Sequence, residues 1–379
     1  MSLRTSQGSR FLATLGMIGG LILAVPAISG AVSGRTAKAS TVQPATCTVD
    51  QKLVPICAGQ ALFGAFINHY PGVTGWENQM NAGAERYKRD IPVWHDYHSY
   101  ERPRNAIPLD PDTVDGAAER RFAMSGGIPW PIWKPVEDWS TAVASTNPND
   151  PEDRLIRQAA GNIKSVAPHK VFFSIHGEPE NDVSGGGHCT QYKGTTPGNT
   201  PANYRAMWSN VHRIFAQEHV TNVVWVMDYM AYSQWECLWK DMWPGNDLVD
   251  WVAYDTYSDG RRSWDDTIGQ FYGWLNTHSD TAHAFRSKPY MVGEFGVHGT
   301  NQQFVYQWYE DGKKALDRRA FPNVRAYIIF DSCGNGYDSR TGYVGSATID
   351  TCTTMPDPTE QEHFNTLIKD PALHPVVRN

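Results

Sequence analysis

The feature that most constrains this chain is a rhythm. Eight short apolar runs, at 62–69, 91–94, 128–133, 171–175, 222–227, 249–254, 289–294 and 324–330, are separated by longer polar stretches. The runs are rich in Val, Ile, Phe and Tyr, as strands are. The stretches at 77–88, 113–124, 152–166, 202–219, 264–278 and 302–319 carry the mixed apolar and charged pattern of helices. One interval, 230–246, reads instead as an aromatic, cysteine-bearing loop. Strands that alternate with helices run parallel, because each crossover returns the chain to the same end of the sheet. Eight such units predict closure into a single (β/α)₈ TIM barrel in the α/β class. An open doubly wound sheet is the competing arrangement, but no Gly-x-Gly-x-x-Gly follows the first run.

A barrel of this kind carries its chemistry where the strands end. That rule gathers His69 after strand 1, His95 and Asp96 after strand 2, Trp133 after strand 3, and His176 with Glu178 at strand 4. It adds Asp228 and Tyr229 at strand 5, Asp255 and Tyr257 at strand 6, Glu294 at strand 7 and Asp331 after strand 8. Two of these stand out. Val171-Phe172-Phe173-Ser174-Ile175 must stop beside Glu178, since Pro179 has no N–H for a sheet ladder. Tyr290-Met291-Val292 likewise stops at Glu294, which is flanked by Gly293 and Gly296.

Two strand-end glutamates 116 residues apart suit glycoside hydrolysis. That reaction needs a proton donor for the leaving oxygen and a carboxylate to meet positive charge at the anomeric carbon. Glu178 is expected to be the acid, its pKa raised by partial burial and by the charge of Glu294, and Glu294 the nucleophile, with Tyr257 donating a hydrogen bond to it. Glu180 is a rival acid, placed in the loop beyond Pro179. His69, Trp133, His176, Asp228, Asp255 and Tyr257 are the expected substrate-binding residues. Sugar rings stack on aromatic faces, and of the 14 Trp, Trp133 and the Trp235, Trp239 and Trp243 loop are the groove candidates. Packing is the expectation for Trp208, Trp251, Trp274 and Trp308.

Two other classes compete. A catalytically silent barrel that binds polysaccharide would keep an aromatic groove without needing glutamates on both strands. A metal-dependent hydrolase using His69, His95 and His176 lacks a His-x-His pair on one strand. No metal and no cofactor is expected.

Residues 1–39 read as a secretory signal, with Arg4 and Arg10 before an apolar stretch at 11–28 and Ala37-Lys38-Ala39 as the cleavage site. An uncleaved membrane anchor is the alternative; no later segment is long and apolar enough to cross a bilayer. Residues 40–58 form a leader and 59–379 the catalytic domain. Removing the four basic residues of 1–39 takes the net charge from −7 to −11, a poor match for nucleic acid or anionic lipid. The expected form is therefore a secreted, extracellular monomer whose partner is a polysaccharide or oligosaccharide. Six cysteines fit an oxidising compartment, and proximity favours Cys47–Cys57, Cys189–Cys237 and Cys333–Cys352. No Cys-x-x-Cys spacing supports zinc.

Four segments resemble glycoside hydrolase family 26: Ile175-His176-Gly177-Glu178-Pro179-Glu180-Asn181-Asp182, Val223-Val224-Trp225-Val226-Met227-Asp228, the run 243–257 ending Asp255-Thr256-Tyr257, and Val292-Gly293-Glu294-Phe295-Gly296. The run 243–257 is the most specific, being similar to the family's Pro-Gly-Asp-Asp…Val-Asp-Trp…Asp-x-Tyr segment. The resemblance covers about residues 60–335 and is dense from 171 to 297. It implies a retaining barrel of clan A with Glu178 as acid/base, Glu294 as nucleophile and Tyr257 in contact with the nucleophile. It also implies a β-glycan substrate, most often β-1,4-mannan, otherwise mixed-linkage β-glucan or β-1,3-xylan. Asp228 stands where the family usually has Asn. Gly177 replaces the His that directly precedes the acid/base, Ser174 a common Arg, and Phe330 a Trp, all at the sugar-binding subsite.

Overall fold

A computed structural model describes residues 47–68, 73, 75–102, 106–147, 149–184, 194–297, 301–332 and 358–375. The eight runs become β1 (Leu62–Asn68), β2 (Val93–Ser99), β3 (Ile128–Lys134), β4 (Val171–Ile175), β5 (Val223–Met230), β6 (Trp251–Ser258), β7 (Tyr290–Val297) and β8 (Val324–Ser332). They close in sequence order into one parallel barrel, and β8 returns to β1 from Leu62↔Ala326 to Asn68↔Ser332. Around it run α1 (Trp76–Tyr87), α2 (Val114–Met124), α3 (Pro151–Lys164), α4 (Pro201–Gln217), a single turn α5 (Glu236–Trp239), α6 (Trp264–Thr277), α7 (Gln302–Asp317) and α8 (Pro358–Ile368). The fold is a single (β/α)₈ barrel.

Local chemistry sets where the helices begin. Thr113, Thr200, Ser263 and Asn301 each accept from the backbone N–H three residues on, and Asp150 accepts from Glu152 and Asp153. Each such cap is worth about 1 kcal/mol. Pro151 and Pro201 occupy first-turn positions where a missing N–H costs nothing.

The strands alternate between two apolar layers. Leu62, Val93, Trp130, Phe172, Val224 and Met291 fill the barrel interior. Their neighbours Phe63, Trp94, Phe173, Trp225 and Val292 face outward beneath the helices. Residues 47–58, expected as part of a leader, instead make a small hairpin with a Val49↔Pro55 bridge. Leu53 from its tip joins the interior layer, and Lys52 O accepts from Trp251 Nε1 at 2.7 Å where β6 begins. The hairpin closes the end of the barrel opposite the strand C-termini.

Three expectations need correction. Strand 2 does not stop at Trp94: β2 continues through His95-Asp96-Tyr97-His98-Ser99, polar residues that are almost all buried and each have at least one hydrogen-bond partner within the fold. A helix, α8, follows the last strand and packs on α7, where none was read. Cys47 and Cys57 are adjacent but unbonded thiols; the Cys57 N–H donates to Cys47 Sγ at 3.1 Å, so a hydrogen bond holds the pair where a disulfide was expected. Cys237 is disulfide-bonded. Cys189, Cys333 and Cys352 lie outside the described residues, as does the whole of 1–39. No helix among the described residues is long and apolar enough to cross a membrane.

Candidate active site

Glu178 is delivered by a bent strand end. The β4 ladder reaches one residue past Ile175, where His176 N–H donates to Trp133 O at 2.8 Å. The chain then turns sharply: His176 and Glu178 both adopt left-handed backbone, φ 55° and 48°, before Pro179 starts a turn of 3₁₀ helix over Pro179–Asn181. Left-handed conformations at residues other than glycine cost of order 1 kcal/mol or more each and persist where the surroundings fix them.

Here the surroundings do so. Trp139 Nε1 donates to His176 Nδ1 at 3.1 Å, which places the ring proton on Nε2, and Nε2 donates to Asp182 Oδ2 at 2.6 Å. Lys134 Nζ reaches the same oxygen at 2.7 Å. Asn181 Nδ2 donates to Glu178 Oε2 at 3.2 Å. Burial, with Lys134 assisting, lowers the His176 pKa to about 4. Burial works to raise Asp182, but His176 and Lys134 pull it below the usual carboxylate range. Glu178 goes the other way, raised by burial to about 7 against the opposing charge of Lys134, with Asp182 adding to the rise. The neighbouring charge that pushes it up is thus Asp182, rather than Glu294 as the sequence suggested.

Glu294 sits within β7 rather than after it, paired with Asp255 of β6 at an irregularity in the ladder. Both of its oxygens are occupied. Tyr97 from β2 donates to Oε1 and Tyr257 from β6 donates to Oε2. His95 donates through Nδ1 to Trp130 O at 3.2 Å, since a carbonyl can only accept, and this holds Nε2 3.6 Å from Glu294 Oε1. The imidazole also stacks on Trp130, ring centroids 4.2 Å apart. Phe66, Phe330 and Trp76 complete the surround: Phe66 packs on Tyr97, Phe330 and Trp76 at 4.9–5.0 Å, and Phe330 lies 6.2 Å from Tyr257.

Beneath the two glutamates lie two more acids. Asp228 and Asp255 are about 1 % exposed; neither carboxylate oxygen of Asp228 has a hydrogen-bond partner, and the backbone N–H of Glu294 is what faces Asp255. Both are pushed well above the usual carboxylate range, first by burial and then by neighbouring acids: Glu178 for Asp228, and Asp228 itself for Asp255. They account for the glycines beside the catalytic candidates. A Cβ on Gly293 would lie 2.6 Å from Asp255 Oδ1, and one on Gly177 would lie 2.6 Å from Asp228 Oδ2. Gly177 thus leaves the room that the Asp228 carboxylate takes.

Several expected site residues fall elsewhere. Trp133 is wholly buried in the outer layer, packed on Phe173 with Nε1 donating to Ala106 O, because its place in β3 turns it toward the helices. Trp235, Trp239 and Trp243 are buried too, since the 230–246 loop folds its aromatics inward; Trp239 packs on Phe271 and Trp274. Neither group lines a groove. His176, also buried, braces the Glu178 turn and does not present its ring to the surface. Glu180 is fully buried and accepts from Met230 N, which removes it as a rival acid. His69 lies outside the described residues.

Tyr97 is the residue that sequence reading missed. Its signal was the alternation His95-x-Tyr97 inside a polar run, which marks one face of a strand. A separate groove of roughly 900 Å³ between α1 and α2, lined by Arg89, Arg121 and His374 among others, ends where β2 and β3 begin, far from these carboxylates.

No protein-family model matches the sequence, and neither does any curated protein. Solved structures do match in fold. One is a family 26 glycoside hydrolase, GH26C, from Muricauda sp. MAR_2010_75, with TM-score 0.54, 15% identity, and 83% of this chain aligned to 86% of that one. Another is the GH26 domain of an endo-beta-mannanase/endo-beta-glucanase from Prevotella bryantii, with TM-score 0.51, 13% identity, and 83% and 90% coverage. A third is the beta-mannanase of a symbiotic protist of the termite Reticulitermes speratus, in complex with gluco-manno-oligosaccharide, with TM-score 0.50, 14% identity, and 83% and 88% coverage. At these identities the likeness is one of fold, and the fold of this chain is that of the family 26 glycoside hydrolases.

Proposed function

We propose that the protein is a secreted, monomeric, retaining β-glycoside hydrolase that cleaves a β-linked polysaccharide such as β-1,4-mannan within the chain. Glu178 is the acid/base and Glu294 the nucleophile. The observation that carries this reading is the contrast between the two carboxylates: Glu178 is raised to about 7, so that it holds a proton near neutrality, whereas Glu294 accepts hydrogen bonds from two tyrosine hydroxyls. A carboxylic acid beside a carboxylate is the pair that double displacement requires. In the first step Glu294 attacks the anomeric carbon as Glu178 protonates the departing oxygen. In the second, Glu178 takes a proton from water, which displaces Glu294 with a second inversion. Phe330 and Trp76, partly exposed beside Tyr257 and Phe66, supply aromatic surface for a sugar ring.

The test is hydrolysis of a panel of β-mannan, mixed-linkage β-glucan, xylan and bacterial exopolysaccharides, with product configuration followed by NMR. Release of oligosaccharides from one of these, with early products of retained configuration, is the expected result. Inverted products would exclude Glu294 as nucleophile. No cleavage of any polymer or aryl glycoside would favour a binding role.

A further inference from the structure

Away from the candidate active site, the outer face of β2 carries a second cluster of chemistry. Asp96 and His98 sit two residues apart on that strand, so both point under α2, where they meet Glu119. One carboxylate oxygen from each acid and one ring nitrogen of the histidine lie within 4.8 Å of one another, and all three side chains are at most 1 % exposed. Protein contacts already fix their orientations. Tyr97 N–H donates to Asp96 Oδ1 at 2.7 Å, Leu109 N–H donates to Glu119 Oε2 at 2.8 Å, and His98 Nε2 lies 2.8 Å from Glu119 Oε1. Two polar atoms are left over. Asp96 Oδ2 and His98 Nδ1 are buried and have no hydrogen-bond partner. Leaving a buried polar group without a partner is destabilising, so two in one cluster call for an explanation.

From this arrangement we infer that Asp96, His98 and Glu119 form a binding site for one divalent first-row transition ion, of the zinc, manganese or cobalt kind, that ties β2 to α2. Two carboxylates and a neutral imidazole balance a 2+ charge, and one nitrogen with two oxygens suits these ions better than calcium or magnesium, which prefer all-oxygen sites. Ligand distances of about 2.0–2.2 Å bring donors spaced like these within reach of a single ion. The hydrogen bonds from Tyr97 and Leu109 act as the outer contacts that hold metal ligands in place. Asp115, one helical turn before Glu119 and only partly buried, carries a third carboxylate on the same side of α2. The site is separate from the substrate pocket, because Asp96 and His98 face away from the barrel interior that His95 and Tyr97 enter. The ion's role is structural.

The test uses the whole purified protein, incubated separately with Zn²⁺, Mn²⁺ and Co²⁺ and then desalted. The expected result is about one ion per chain by elemental analysis for at least one metal, visible absorption bands in the cobalt form, and a melting temperature that falls by about 5 °C or more with EDTA and recovers on re-addition. Asp96→Asn and His98→Gln should both lose the ion and the EDTA response. Wild-type protein that retains no ion and melts identically with and without EDTA overturns the proposal, whether or not the variants fold. Equal metal retention in folded Asp96→Asn protein also overturns it, by placing the ion elsewhere.

Discussion

Glu178 and Glu294 are the same residue type at the same end of one barrel, yet their surroundings are built differently. Glu178 stands on a left-handed turn past the end of β4, with Asn181 as its side-chain hydrogen-bond donor, and burial raises it to about 7. Glu294 stands within β7, where neighbouring strands fix its backbone and tyrosines from β2 and β6 fix both oxygens. In the roles proposed for them, the acid is held by desolvation and the nucleophile by geometry. Two residues of one type thus have different surroundings, and the difference can be broken one side at a time.

The largest effect is expected at the geometric side. Glu294→Ala should lose roughly 10⁴-fold or more in turnover if Glu294 forms the covalent intermediate as proposed. Azide should partly restore cleavage of an activated aryl glycoside and give a glycosyl azide of inverted configuration, and a 2-fluoro glycoside should label the peptide carrying Glu294 in the wild type. Partial activity without labelling would mean that Glu294 only orients a neighbour. Glu178→Ala comes next, with a loss of about 10²–10⁴-fold on natural glycosides. The glycosylation step on aryl glycosides with good leaving groups should be nearly spared, since those need little protonation. Equal losses on both substrates would remove the acid assignment.

A smaller effect should appear in the pH profile. Glu178 must be protonated to act as acid, so kcat/KM should fall as pH rises through about 7. Lys134 opposes the rise of that pKa through its positive charge. Lys134→Met should therefore move the alkaline limb to higher pH, while the same change made at a distant surface lysine such as Lys313 should leave it in place. A limb that stays put in Lys134→Met would mean that the charge beside Glu178 does not tune it.

Much of this arrangement could be read before any coordinates. The alternation of apolar runs with helical stretches gives the barrel because both periodicities are set by local geometry, and the barrel in turn ranks residues by strand end. Glu178, Glu294 and Tyr257 come together by that rule alone. Tyr97 did not, because a polar half-strand has no apolar signature, and β2 stays buried only through pairings that form across the finished fold. The tryptophans misled for the converse reason. Aromatic residues near strand ends look like sugar platforms in sequence, but whether Trp133 faces the mouth or the helices depends on one-residue register, and it faces the helices. Phe330 and Trp76, which do lie on the aromatic surround of Glu294, are separated by more than 250 residues in sequence and meet through Phe66.

The smallest predicted effect concerns the floor that both glutamates share. Asp228 is buried beside Gly177 and Gly293 with no partner for either oxygen, and its pKa lies well above the usual range because burial, and then Glu178, disfavour its charge. The sign of the linkage follows. A carboxyl whose folded pKa is raised binds its proton more tightly folded than unfolded, so the fold carries no penalty below about pH 4, the unfolded value, and a growing one above it. Asp228→Asn removes that penalty and adds an amide N–H₂ beside the carboxyl of Asp255. The variant should be more stable than wild type by about 1–3 kcal/mol at pH 8, and the gain should shrink toward zero at pH 4. Thermal melts of the two proteins at both pH values measure this directly. A gain of the same size at both pH values would show that amide hydrogen bonding, not the ionisation of Asp228, is responsible. A loss at pH 8 would mean that the carboxylate has a partner it needs, and would move Asp228 from the floor of the site into its binding surface.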